Sequence, residues 1–114
     1  MQYALLIYED ESVYGGEKQG PKLQAIVGQH MELTKSLGSR WIGGCGLAGT
    51  ETATTVRMSS GGRAVHDGPF AETKEQLGGF YLIDVPDLDS AIDIARQVPL
   101  LGQGHIEIRP VLGG

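Results

Sequence analysis

His105, Glu107 and Arg109 alternate along a short segment near the C-terminal end of the chain. Successive side chains of a strand point to opposite faces, so an extended backbone here sets an imidazole, a carboxylate and a guanidinium in one row. Ile106, Ile108, Pro110 and Leu112 fall on the other face, which is therefore apolar. An imidazole can pass a proton, a carboxylate can orient or accept one, and a guanidinium can hold an anionic group. The same spacing also suits a plain ion pair between Glu107 and Arg109, with His105 at the wet start of the strand.

A second polar concentration runs from His66 to Phe80 and carries Asp67, Glu72, Lys74 and Glu75. Gly68 removes the Cβ penalty at a bend and Pro69 fixes the next φ, so the backbone is constrained and its side chains are held. Folded over a cavity, this loop would supply an acid or base from Asp67 and ligand contacts from Lys74 and Glu75. Left in solvent, it is a charged turn. His30 is a third candidate, because it lies on the apolar stripe of a helix, where burial moves an imidazole pKa readily. The catalytic candidates are thus His30, Asp67, His105 and Glu107, and the substrate-binding candidates Lys74, Glu75 and Arg109.

Other chemistries find little support. The three His, at 30, 66 and 105, share no helical or strand spacing, so no metal site is expected. Cys45 stands alone and reads as a small core residue. Gly43, Gly44 and Gly46 lie within a strand rather than opening a helix, which makes no dinucleotide fingerprint, and no cofactor is expected.

The elements that must position these groups follow from periodicity. Residues 2–9 read as a strand that is apolar on both faces, followed by an exposed loop from Glu9 to Gly20. Leu23, Ile26, Val27, His30, Leu33, Thr34 and Leu37 recur at helical spacing, which predicts an amphipathic helix over 21–37 that starts at Pro21 and ends in a left-handed Gly38. Strands are expected over 40–48 and 77–85, with a hairpin of 54–58 and 63–66 between them. Asp87 is placed to cap a helix whose buried stripe is Leu88, Ala91, Ile92, Ala95 and Val98, and residues 105–112 form the last strand. Trp41 and Phe80 read as core or interface.

The order is β-α-β, a hairpin, then β-α-β: an α+β, ferredoxin-like split βαβ in a single domain spanning 1–114. Two helices cover one face of such a sheet. The first strand is apolar on both, so a second copy of the chain is the expected cover, in a homodimer with its sheets face to face. The polar row on the last strand would then line a shared chamber. A formal charge of −5 without a basic run argues against nucleic-acid binding. The first apolar run is too short to span a bilayer, no membrane association is expected, and a cytoplasmic protein is the simplest reading.

Asp67-Gly68-Pro69-Phe70, then Glu72-Thr73-Lys74-Glu75-Gln76-Leu77-Gly78-Gly79-Phe80, resembles the signature of the DGPF branch of the YCII-related family. Thr54-Thr55-Val56-Arg57 and Ile106-Glu107-Ile108-Arg109-Pro110 extend the resemblance over nearly the whole chain. It implies a ferredoxin-like dimer of the α+β barrel kind. Broader members of the family are read as enzymes from a His on the first helix and an Asp near the end of the second. His30, after Gln29, matches that His. Val98, just before Pro99, stands where the Asp would be, so either Asp67 takes the partner's role, or other residues serve, or the chain is not an enzyme. Two functions follow. One is metal-independent acid/base catalysis, of lyase, isomerase or hydrolase type, on a small organic molecule in a dimer cavity. The other comes from the branch's resemblance to domains attached to, or encoded beside, alternative sigma factors: a non-catalytic regulatory module that binds a ligand or a sigma factor.

Overall fold

The computed structural model describes residues 1–15 and 20–114. Part of the loop expected between Glu9 and Gly20, residues 16–19, lies outside the described residues. Among the described residues, six strands and two α-helices follow in the order β1 (Gln2–Glu9), α1 (Pro21–Leu37), β2 (Trp41–Gly46), β3 (Thr54–Ser59), β4 (Gly62–Asp67), β5 (Gln76–Asp84), α2 (Leu88–Ala95) and β6 (Gly104–Pro110). Strands β2, β5, β1 and β6 form one sheet in that order, and each neighbouring pair is antiparallel. This is the ferredoxin-like α+β arrangement, with β3 and β4 paired only to each other as a separate two-stranded sheet.

Alternation in β1 explains the core. Tyr3, Leu5 and Ile7 are buried and pack with Tyr81, Ile83 and Val85 of the β5 segment, Leu33 and Leu37 of α1, and Ala91, Ile94 and Val98 around α2. Ala4, Leu6 and Tyr8 turn to the opposite face and are half-buried, as are Phe80 and Leu82. Both helices pack on the first face, so among the described residues no helix covers the second. Glu9, expected at the start of an exposed loop, instead continues the inward alternation and is buried, while Glu11–Tyr14 form a short 3-10 turn that buries Tyr14.

Helix α1 has the expected bounds and opens on Pro21. Gly38 follows it with φ 58° and ψ −128°, a positive φ but not the left-handed helical region expected there. Asp87 caps α2 by accepting a hydrogen bond from the Ser90 N–H at 2.9 Å. The buried stripe of α2 is rotated from the expected one. Leu88 is 50 % exposed, while Ile94, absent from the expected stripe, is 2 % exposed. Ala91, Ile94, Ala95 and Val98 are spaced three, four and seven residues apart, which keeps one face on the sheet. Leu112 lies beyond the end of β6 and is fully exposed. Cys45 is also exposed, contrary to the core position expected of it. It lies on β2, an edge strand flanked by glycines that offer no side chain to cover it.

Candidate functional site

Glycine shapes a concavity beneath α1. Helix α1 lies over the ends of β2 and β5 where Gly44, Gly46, Gly78 and Gly79 present no side chain, and the gap is a cavity of about 270 Å³. The apolar stripe of α1 divides accordingly. Ile26, Leu33 and Leu37 are buried. Leu23, Val27, His30, Met31 and Thr34 line the cavity, and buried Ile26 also borders it. Val27 and Met31 are 44 % and 66 % exposed, as befits a rim. At this volume the cavity stands at the small end of ligand pockets, which run from ~300 Å³ upward.

His30 projects from α1 into this wall, and its Nδ1 lies 2.5 Å from the Tyr81 hydroxyl. The two rings meet edge to face with centroids 5.7 Å apart, and Trp41 also meets Tyr81 edge to face, at 4.9 Å. Burial pushes the His30 imidazole below its ordinary value, and the charge of Glu9 partly opposes this. Burial likewise pushes Tyr81 up to about 12, so it stays a phenol near neutrality. A neutral imidazole bonded to a phenol has two arrangements. In one the Tyr81 O–H donates to Nδ1. In the other Nδ1–H donates to the phenol oxygen and leaves Nε2 with an available lone pair, the form of a general base. Among the described residues Nε2 has no hydrogen-bond partner.

The lining also holds a buried acid, Glu9. Glu9 Oε1 accepts from the Tyr14 hydroxyl at 2.6 Å, and Oε2 accepts from the Leu101 N–H at 2.5 Å and the Gly102 N–H at 3.4 Å. Three donors on one carboxylate satisfy its charged form. Tyr14 is held well above its ordinary pKa by burial, then by its bond to Glu9 and the charge there. No Lys or Arg lines the cavity among the described residues.

The other candidates sit elsewhere. His105 lies on the outer face of β6, stacked on Tyr8 with centroids 4.7 Å apart, and its Nδ1 is 2.6 Å from Glu75 Oε1. That contact ties the segment after Asp67 back to the sheet. Arg109 Nη1 donates to Glu107 Oε2 at 3.3 Å, and both are exposed. Lys74 is exposed, near enough to Asp10 to favour that carboxylate's charged form. Asp67 ends the β4 arm, exposed, and its carboxylate makes no hydrogen bond among the described residues. The turn after it is pinned by backbone instead: Gly68 N–H donates to the Ala53 carbonyl at 2.7 Å, and the Thr55 hydroxyl to the Gly68 carbonyl at 2.7 Å. Within one chain the structure therefore joins His105 to Glu75 and Glu107 to Arg109, and leaves His30, Asp67 and Lys74 apart from both pairs. The outer-face row lines neither the cavity under α1 nor the pocket bounded by Asp10, Glu11 and Gln76.

Sequence reasoning selected His30 but missed Glu9, Tyr14 and Tyr81. A signal for two of them existed. Glu9 extends the inward series Tyr3, Leu5, Ile7, and Tyr81 stands in the inward series with Gly79 and Ile83. Tyr14 had none, because its burial depends on the turn that brings it to Glu9. Among the described residues no three His, Cys, Asp or Glu side chains are grouped as metal ligands.

The chain is 43 % identical, over an alignment covering 97 % of its length and 92 % of the relative's, to an uncharacterised protein of Rhizobium meliloti (strain 1021). The profile of the YCII-related domain matches residues 1–113. With both the strand order and this match in hand, the chain belongs to the YCII-related family.

Proposed function

We propose that the cavity under α1 is a small-molecule site in which His30 exchanges a proton with the bound ligand, making the protein an acid/base enzyme of lyase, isomerase or hydrolase type. The observation that carries this reading is the His30–Tyr81 contact at the cavity wall. A neutral imidazole with one nitrogen engaged and the other available is suited to proton transfer near neutral pH, and it needs no metal to do so. In this reading Tyr81 occupies the orienting role that an Asp would fill, because Val98 is apolar and buried and Asp67 is remote on the arm.

Self-association belongs to the same proposal. The half-buried apolar face of Ala4, Leu6, Tyr8, Phe80 and Leu82 supports a second copy packed against it, sheet to sheet. Only such a copy would enclose His105, Glu75, Glu107 and Arg109, or bring Asp67 and Lys74 of one arm toward another chain's site.

The test is a turnover screen of small organic compounds with the purified protein, repeated with His30→Ala. A rate fall of roughly a hundredfold or more is expected on loss of the acid/base group. Unchanged turnover in His30→Ala would refute the reading. Binding without turnover of any compound would favour the regulatory module instead.

A further inference from the structure

Among the described residues one charged side chain is buried, and it lines the cavity under α1. Glu9 closes the inward series of β1 at 8 % exposure, where a charge is weakly screened by water. Its hydrogen bonds hold it as a carboxylate without neutralising it. The Leu101 and Gly102 N–H groups donate to Oε2, and the Tyr14 hydroxyl donates to Oε1. All three donors are uncharged, so the negative charge remains. A carboxylate offers about four lone-pair sites, and the one still open is on Oε1. Glu9 forms no ion pair among the described residues. A buried charge in that state gains from a partner of opposite sign.

The rest of the lining favours the same partner. Trp41, Tyr81 and Tyr14 border the cavity together with Glu9, and the π-electrons of such rings attract a cation. Burial disfavours the protonated form of His30, so the imidazole does not take the place of that cation. In the tautomer whose Nδ1–H bonds Tyr81, its Nε2 can accept from a ligand N–H. Ile7, Leu23 and Val27 supply apolar wall for a hydrocarbon body. An ammonium group loses water on entering, and the buried carboxylate offsets that loss; an anion is repelled by it, and a neutral group gains no ion pair. Resting on the reading of this cavity as a small-molecule site, we infer that its ligand is a small organic cation, a protonated amine on a short hydrocarbon body, whose ammonium group pairs with Glu9.

Three probes of one chain length test this: n-pentylammonium, pentan-1-ol and pentanoate, which are cationic, neutral and anionic near neutral pH. Trp41 is the single tryptophan of the chain and lines the cavity, so its indole N–H signal in proton NMR reports occupancy of this site. n-Pentylammonium is expected to bind at least about tenfold more tightly than either analogue. In Glu9→Gln, with circular dichroism like the parent's, its advantage over pentan-1-ol is expected to shrink to about threefold or less, since the charge that tells the two apart is gone. If that variant fails to fold, the three probes in the parent protein carry the test. No saturable n-pentylammonium binding, an advantage in the parent short of about tenfold, or an advantage undiminished in folded Glu9→Gln would each overturn the inference. Failure here is separable from failure of the acid/base reading. Turnover lost in His30→Ala, with pentan-1-ol or pentanoate bound as tightly as the ammonium, sinks only the ligand assignment. The expected binding pattern with turnover intact in His30→Ala sinks only the catalytic one.

Discussion

His30 sits one helical turn after the buried Ile26, and that placement decides its chemistry. Burial makes the protonated imidazole costly, so the folded protein binds this proton less readily than the unfolded chain, whose imidazole titrates near 6.5. Above ~6.5 neither state holds the proton and the group is neutral to stability; as pH falls below it, the unfolded chain gains the proton first and is favoured. The melting temperature is therefore expected to drop between about pH 7 and pH 5, and to drop less in His30→Asn, as differential scanning fluorimetry at matched ionic strength would show. Glu9, in the same lining, acts on this group and raises its pKa. Glu9→Gln should lower the His30 titration midpoint further in proton NMR. It should also cost about 1–3 kcal/mol of stability in urea, because the Leu101 and Gly102 N–H groups lose a charged acceptor and the Tyr14 hydroxyl loses the oxygen to which it donates. A His30 midpoint that rises in Glu9→Gln would show that the carboxylate does not act on the imidazole in this way.

Helix α1 shows how an element divides between structure and function. Its apolar stripe was legible as a helix face, yet the same stripe is core at Leu33 and Leu37 and cavity lining at Leu23 and Val27. The division is made by the strands beneath it, where glycines replace the side chains that would have filled the gap. Gly44→Ala is expected to destabilise the protein by on the order of 3 kcal/mol, since a Cβ would clash with the Phe80 carbonyl and the Trp41 ring, and the β2 edge has to shift. A denaturation midpoint equal to the parent's would show that β2 yields more easily than this geometry implies. The N-terminus of α2 makes a smaller contribution. Asp87 accepts from both the backbone N–H and the hydroxyl of Ser90. Asp87→Ala should cost about 1 kcal/mol, read from the same urea curves.

At the scale of the whole molecule, one sheet face and one hairpin lack a partner among the described residues. Among the described residues the β3–β4 arm pairs with no other strand and leaves Val56, Met58 and Val65 exposed. An isolated two-stranded hairpin is at best marginally stable in water, so it gains from packing on something else. A homodimer that buries the outer sheet face is the expected assembly, seen as twice the chain mass in size-exclusion chromatography with light scattering. Leu6→Glu, at the centre of that face, should weaken the dimer on the order of a hundredfold by placing an unpaired charge in the interface. A monomeric parent at micromolar concentration would remove the basis for any shared chamber.

The amino-acid sequence by itself determined the order of elements, both helices, the cap at Asp87 and the inward and outward faces of β1 and β6, because periodicity and capping are local properties of the chain. It also singled out His30, since an imidazole on an apolar helical stripe is visible without coordinates. Only the tertiary structure decided what His30 meets. Its partner, Tyr81, is fifty-one residues away, and the buried acid in the same lining depends on backbone donors from Leu101 and Gly102 near the other end of the chain. Contacts of such separation are set by strand register and by where a helix lies over a sheet, and no local pattern encodes either. The cavity itself arises from glycines on two strands meeting under one helix, a coincidence in space that the linear order keeps apart.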